Sequence, residues 1–83
     1  MSIQERVRNY LVTQVGDPSL RQRLTGEFPI IESGVIDSQG ILSLVLFMEA
    51  EFDIEILDED LVLENVGTLD RLAAYVDARR SRS

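Results

Sequence analysis

Apolar residues recur at helical spacing in three segments of this 83-residue chain, and no segment alternates apolar and polar residues as a half-buried strand does. The segments cover residues 2–15, residues 38–52 and a last stretch that starts at Leu69 and fades at the arginine- and serine-rich tail. A chain of this length has room for a single core, since domains usually span about 50–200 residues. We therefore predict an all-α fold, a small bundle of three main helices plus one short helix. We expect one domain over residues 1–83, with residues 79–83 as a frayed tail.

Short polar residues just ahead of the apolar runs predict where the helices begin. The predicted N-caps are Ser2, Asp17, Ser38, Asp58 and Thr68. Glu5 lies three residues after the first of them, as a capping box requires. Pro18, at a first helical position, predicts a short turn that runs through Leu24. A brief helix is predicted over residues 58–64.

A long first loop joins the first and second helices over residues 16–37. Its seven large apolar residues are Leu20, Leu24, Phe28, Ile30, Ile31, Val35 and Ile36. Structureless loops longer than about 12–15 residues are uncommon in compact domains. We therefore expect this loop to be pinned to the core rather than free.

The composition leaves few groups for chemistry. The chain has no cysteine and no histidine, and its eight basic residues are all arginine. This excludes a disulfide scaffold and a thiolate metal site, and it removes the commonest general base and the Schiff-base amine. We expect a protein that is not an enzyme and that has neither catalytic residues nor a metal site.

Negative charge is concentrated in the middle of the chain. The formal net charge is −7, and residues 24–70 carry twelve acidic residues and no basic one. Such a segment repels nucleic acid and anionic membranes and attracts basic protein surfaces, although it also serves simply as a solvated surface. No run approaches the about 18 apolar residues of a membrane span. We expect a soluble monomer of the cytoplasm that neither binds nucleic acid nor inserts into a membrane.

The second helix is more apolar than packing against two neighbours requires. On a helical wheel its core stripe contains Ile41, Leu44, Val45, Met48 and Phe52. A different side contains Ser38, Leu42, Leu46 and Glu49, with Gln39 nearby, whereas Phe47 points away from both. Apolar residues bordered by acids favour a docking surface. Alternatively, the long first loop covers this side and its leucines are ordinary core residues.

Ser38 lies where the second helix begins, and two interpretations fit it. Serine is a favoured N-cap, and a cap needs no further function. Alternatively, the free N–H groups and the positive end of the helix dipole would stabilise a phosphate esterified to its hydroxyl. Because no histidine is present to activate it, Ser38 is a better acceptor of a group than a catalytic nucleophile.

Residues 32–38 read ESGVIDS, and residues 49–56 read EAEFDIEI. Together with Leu42, Leu44, Val45, the segment DEDL at residues 58–61 and the capped last helix, these segments resemble the acyl carrier protein family over nearly the whole chain. The resemblance implies that Ser38 receives a 4'-phosphopantetheine arm from coenzyme A through a phosphopantetheinyl transferase. The terminal thiol of that arm would hold an acyl or aminoacyl group as a thioester.

The resemblance also implies which residues meet partner enzymes. Family members meet the basic patches of their partners at positions that Asp37, Leu42, Leu46 and Glu49 match in this chain. Ile56, Asp58 and Leu61 match the flank that helps to hold the arm and its cargo. The implied partners are the transferase and an adenylate-forming ligase, a synthase or another transferase with a basic docking patch. Electrostatic docking of this kind is fast, salt-sensitive and short-lived.

Three positions depart from the family's pattern. Gln39 replaces the usual leucine, which changes the partner contact expected there, and Leu57 replaces a common proline. Gly40 replaces a common acidic residue and should weaken the first helical turn by about 1 kcal/mol relative to alanine. The segment SGVIDS at residues 33–38, with glycine two residues after Ser38, is more similar to free-standing carriers loaded by adenylate-forming ligases, including D-alanyl carriers. Fatty acyl, polyketide and aminoacyl carriers share this scaffold, so the sequence does not assign the cargo.

Two functions from other classes also fit some of these residues. A small acidic helical adaptor would bind one partner through Leu42 and Leu46 and carry no prosthetic group. A calcium site would use Asp53, Glu55 and the acids at 58–60, but their spacing lacks the glycine and the final glutamate of an EF-hand loop. Paired carboxylates alone do not indicate an enzyme, since no base, oxyanion donor set or phosphate loop accompanies them.

Overall fold

The computed structural model describes residues 2–81, and every regular element in that range is helical. The elements are α1 (Ile3–Val15), α2 (Leu20–Arg23), α3 (Ser38–Phe52), a 3-10 turn (Asp58–Asp60), α4 (Leu63–Val66) and α5 (Leu69–Ser81). The prediction of an all-α fold with three main helices is confirmed, and these are α1, α3 and α5. Within residues 2–81, no helix is both long and apolar enough to cross a membrane.

The helices α1 and α5 begin at their predicted caps. Ser2 Oγ accepts a hydrogen bond from the backbone N–H of Glu5 at 3.1 Å, and Thr68 Oγ1 accepts one from the N–H of Arg71 at 3.1 Å. Each hydroxyl thus satisfies a first-turn N–H that has no partner within its own helix. Gly16 ends α1 in the left-handed conformation, with φ at 77°.

The short helix α2 begins later than predicted. Asp17 Oδ1 accepts from the backbone N–H of Ser19 at 3.0 Å and from its hydroxyl at 2.7 Å, and Ser19 is the N-cap of α2. The hydroxyl and then the N–H of Ser19 hold the pKa of the Asp17 carboxyl below its ordinary value. The prediction that Asp17 caps this helix is wrong, because its carboxylate is used inside the preceding turn.

Two further boundaries differ from the prediction. The helix predicted over residues 58–64 is divided into the 3-10 turn and α4, because Leu61 (φ −82°, ψ 69°) and Val62 (φ −125°, ψ 158°) leave the helical region. The last helix, α5, was expected to fray from residue 79, but it continues through Arg79 and Arg80 to Ser81. The positive charges of these arginines interact favourably with the negative end of the helix dipole, which stabilises the end of the helix. Residues 82 and 83 of the predicted tail lie outside the described residues.

The core is built from the three main helices, the long first loop, α4 and the link after α3 (residues 53–57). Its buried apolar residues are Val7, Leu11, Leu20, Leu24, Ile30, Ile36, Leu44, Met48, Phe52, Ile56, Val66, Leu69, Leu72 and Val76. The loop is tied to the start of α5, since the Ile30 N–H donates to the Gly67 carbonyl oxygen and the Asp70 N–H donates to the Gly26 carbonyl oxygen, each at 3.0 Å. The prediction that the loop is pinned to the core is confirmed.

Aromatic packing joins α1 to α3. The rings of Tyr10 and Phe47 are stacked, with their centroids 4.2 Å apart. Arg6 forms an ion pair with Glu51 at 3.4 Å, and its guanidinium carbon lies 5.9 Å from the centroid of the Phe52 ring. The side of α3 that contains Phe47 therefore packs against α1. The side that contains Leu42 takes no part in this contact.

Candidate functional site

The start of α3 is fixed by Asp37 rather than by Ser38. Asp37 has an extended backbone (φ −95°, ψ −171°), and its Oδ1 accepts from the Gly40 N–H at 2.8 Å. Its carbonyl oxygen accepts from the Ile41 N–H at 2.9 Å. The interpretation of Ser38 as the N-cap is wrong, because the Asp37 side chain accepts from the first-turn N–H of Gly40, as a cap does. Ser38 is instead the first residue of the helix.

The hydroxyl of Ser38 has no structural use within the described part of the chain. Ser38 is exposed, and no hydrogen bond to its side chain is found among residues 2–81. The N–H groups of Ser38 and Gln39 lie in the first turn and have no acceptor within the helix. An exposed hydroxyl therefore lies beside free N–H donors and the positive end of the α3 dipole, an arrangement that suits a phosphate ester.

Leu42 and Leu46 lie on the exposed side of α3, on the Ser38 side of the wheel. Their exposed fractions are 60% and 66%, whereas Leu44 between them is 1% exposed. The alternative in which the long first loop covers these leucines is wrong, because the loop packs its own apolar residues into the core and against α5. We call Leu42 and Leu46, with the exposed residues Asp37 and Gln39, the α3 face.

Glu49 differs from the other acids near the α3 face, because its side chain has an internal partner. It is half-buried, and its Oε2 accepts from the backbone N–H of Ile56 at 2.9 Å. Ile56 itself is only 7% exposed and belongs to the core. The Ile56 side chain is therefore packed in the core rather than presented on the surface. Glu49 holds the link after α3 in place, a role that its position on the wheel did not indicate.

The segment after that link presents further apolar surface. Asp58 is exposed in the 3-10 turn, and Leu61 is half-buried against the core. The sequence-based predictions did not include three exposed apolar residues here: Leu57 (38%), Val62 (47%) and Leu63 (42%). The sequence signal that could have indicated their exposure is the mixture of apolar and acidic residues at 57–64, which lacks helical spacing.

The acids of residues 53–60 do not gather around a common point. Among the described residues, no group of three or more acidic, histidine or cysteine side chains is arranged to hold a metal ion. One of these acids, Asp60, accepts from the hydroxyl of Tyr75 at 2.7 Å through Oδ2. That carboxylate therefore holds the 3-10 turn against α5.

Among the described residues, an exposed serine without a side-chain hydrogen bond thus lies at the start of α3, beside exposed leucines and acids, an arrangement that suits a protein which presents a group to other proteins. No family model matches the chain. An acyl carrier protein of Bdellovibrio bacteriovorus is 36% identical over 80 residues, which cover 95% of this chain and 96% of that protein. An acyl carrier protein of Akkermansia muciniphila is 34% identical over 76 residues, which cover 92% and 90% respectively.

This chain belongs to the acyl carrier protein family. It is a carrier protein and not an enzyme, as the sequence analysis predicted. A carrier works by visiting partner enzymes, so its surface matters more to its function than an enclosed site does.

Proposed function

We propose that Ser38 carries a 4'-phosphopantetheine arm and that the chain shuttles an acyl or aminoacyl cargo between partner enzymes. The observation that carries this proposal is the exposed Ser38 hydroxyl, unbonded among the described residues, at the first position of α3. The membership of the acyl carrier protein family supports it. When bound, the arm supplies a terminal thiol on which the cargo is held as a thioester.

The residues around Ser38 fit such an arm. The free N–H groups of Ser38 and Gln39 and the helix dipole favour the negative charge of a phosphodiester. Because Asp37 caps the helix through Gly40, esterifying Ser38 costs the helix no hydrogen bond. Since the chain has no cysteine, the thiol of the arm would be its only thiol.

Loading requires a transferase that activates the serine. Ser38 Oγ forms the new bond to phosphorus, the pyrophosphate bond of coenzyme A breaks, and adenosine 3',5'-bisphosphate leaves. The proton of the hydroxyl passes to a base of the transferase, because this chain has no histidine to accept it. The chain contributes the exposed oxygen and the helix start that favours the negative charge of the product.

We propose that partner enzymes dock on the α3 face and on the adjacent acidic segment. Asp37, Gln39, Leu42, Leu46, Glu49, Asp58 and Leu61 form this proposed surface. Its leucines supply apolar contact area, and the acids of residues 24–70 attract a basic patch on the transferase, on an adenylate-forming ligase or on a synthase. Contacts of this kind form quickly and are screened by salt, as a shuttle that leaves each partner requires.

Intact-mass measurement after incubation with coenzyme A and a broad-specificity phosphopantetheinyl transferase tests the proposal. We expect the wild-type chain to gain the mass of one arm and the Ser38→Ala variant to gain none. Ser43→Ala is the matched control, because Ser43 is an exposed serine on the same helix; it should load as the wild type does. A wild-type chain of unchanged mass would overturn the proposal and favour the adaptor.

A further inference from the structure

A depression of about 240 Å³ lies beside Ser38, between the last turns of α1 and the first turns of α3. Tyr10 and Gln14 form its α1 wall, and Gln39, Gly40 and Ser43 form its α3 wall. A second depression of about 280 Å³ shares Gln14 and Gly40 and extends along the end of the long first loop. Ser43 is five residues from Ser38, so the α3 wall extends only about 7.5 Å along the helix from the serine.

The absence of a side chain at Gly40 brings the end of the loop close to α3. A Cβ atom at this position would lie 3.0 Å from Ile36 Cβ and 3.3 Å from Asp37 Oδ1. A side chain at Gly40 would therefore crowd Ile36 and Asp37. Gln39 and Gly40, two of the positions where this chain departs from the pattern of its family, therefore both line the depression.

The lining of the depression combines polar, uncharged side chains with the two apolar residues Leu11 and Ile36. Leu11 and Ile36 at its base are 1% and 9% exposed. The Gln14 amide donates to the Tyr10 hydroxyl at 2.9 Å, so the Tyr10 proton and the Gln14 carbonyl oxygen can serve another partner. Asp37 is the only charged residue of the lining. The lining therefore suits a neutral ligand that combines hydrogen-bonding groups with a small apolar group.

We infer that this depression is the resting site of the pantetheine portion of the arm on Ser38; the inference rests on the function proposed above. Pantetheine has two amide groups, a hydroxyl and a pair of methyl groups, which match the polar walls and the apolar floor. A purely aliphatic chain would leave the polar groups of Tyr10, Gln39 and Ser43 without partners. With the arm on the α1 side, the exposed leucines Leu42 and Leu46 stay open for docking.

The test observes contacts of an unlabelled arm with a chain labelled with ¹³C and ¹⁵N, by isotope-filtered nuclear Overhauser effects. After complete loading, we expect contacts from the methyl groups of the arm to the side chains of Tyr10, Gln14 and Ser43. Ser43→Phe fills the depression and should abolish them. Ala50→Phe is the matched control, since Ala50 is exposed and lies about two turns further along the same helix; it should keep them.

Gln14→Ala provides a second variant that adds no bulk, and it should weaken the contacts to Tyr10 and Ser43. Contacts to Leu42, Leu46 or Leu61 instead, the absence of any contact, or contacts that survive Ser43→Phe would overturn the resting site alone. The intact mass of each sample separates the two proposals. A chain that gains no arm would overturn both.

Discussion

Asp37 caps α3 through its carboxylate, and this leaves the adjacent hydroxyl of Ser38 without a structural task among the described residues. Both residue types are favoured caps, so the sequence alone could not decide between them. Which of the two residues caps the helix depends on where the backbone becomes helical. Asp37 is still extended and Ser38 is the first helical residue. The Ser38 hydroxyl is therefore available for modification because another residue performs the capping.

Replacing Asp37 separates its capping role from its charge. Asp37→Ala should lower the free energy of unfolding by about 1 kcal/mol, because the Gly40 N–H loses its acceptor. Asp37→Asn keeps an accepting oxygen and should change stability much less, while still slowing loading by the transferase. Urea denaturation and loading rates measure the two effects. Equal stability losses in both variants would remove the capping role.

Glu49 also combines a structural contact with a charge. Glu49→Arg should weaken docking on a basic partner, but it also removes the acceptor for the Ile56 N–H and should cost about 1–3 kcal/mol of stability. Glu49→Gln keeps an acceptor and isolates the charge. We expect Glu49→Gln to slow loading while its melting temperature stays close to that of the wild type. Loading at the wild-type rate would exclude Glu49 from the docking surface.

At the scale of elements, α3 has three sides with different surroundings. Leu44, Met48 and Phe52 are buried, Phe47 packs on α1, and the α3 face is exposed. The sequence predicted the bounds of this helix and its three sides, because its apolar spacing is strong and continuous. The boundaries around residues 58–64 could not be predicted equally well, since short helices depend on tertiary contacts rather than on their own propensity.

Leucine-to-alanine variants along α3 test this division. Leu42→Ala and Leu46→Ala should each change stability by no more than about 0.5 kcal/mol, because both side chains are mostly exposed. Leu44→Ala should cost about 2–5 kcal/mol, because it leaves a cavity in the core. Only the two exposed variants should slow loading while the fold stays intact. A large stability loss in Leu42→Ala would show that the α3 face is packed.

At the scale of the whole molecule, we expect charge repulsion to oppose folding. Residues 24–70 carry twelve acidic residues and no basic one. The fold holds them close together, since its radius of gyration is 11.8 Å. The fold class followed from helical spacing, and the charge map could be predicted from the sequence alone. The path of the long first loop could not, because backbone hydrogen bonds to the distant residues 67 and 70 decide it. Nor could the burial of Ile56, which accompanies a hydrogen bond from its N–H to the Glu49 side chain.

Salt should stabilise the chain without its arm. Between about 10 mM and about 1 M sodium chloride the Debye length falls from about 30 Å to about 3 Å, so repulsion that acts across the whole molecule is screened. We expect the melting temperature at neutral pH to rise over this range. A melting temperature that falls with added salt would show that attractive pairs such as Arg6 with Glu51 outweigh the repulsion.

A thiol titration before and after incubation with coenzyme A and the transferase tests the central claim most directly. Because the chain contains no cysteine, any thiol that stays with the protein after removal of free coenzyme A belongs to an attached arm. We predict one thiol per wild-type or Ser43→Ala chain after loading, and none in Ser38→Ala. No thiol on the wild type, or a full complement on Ser38→Ala, would contradict the assignment of Ser38 as the attachment residue.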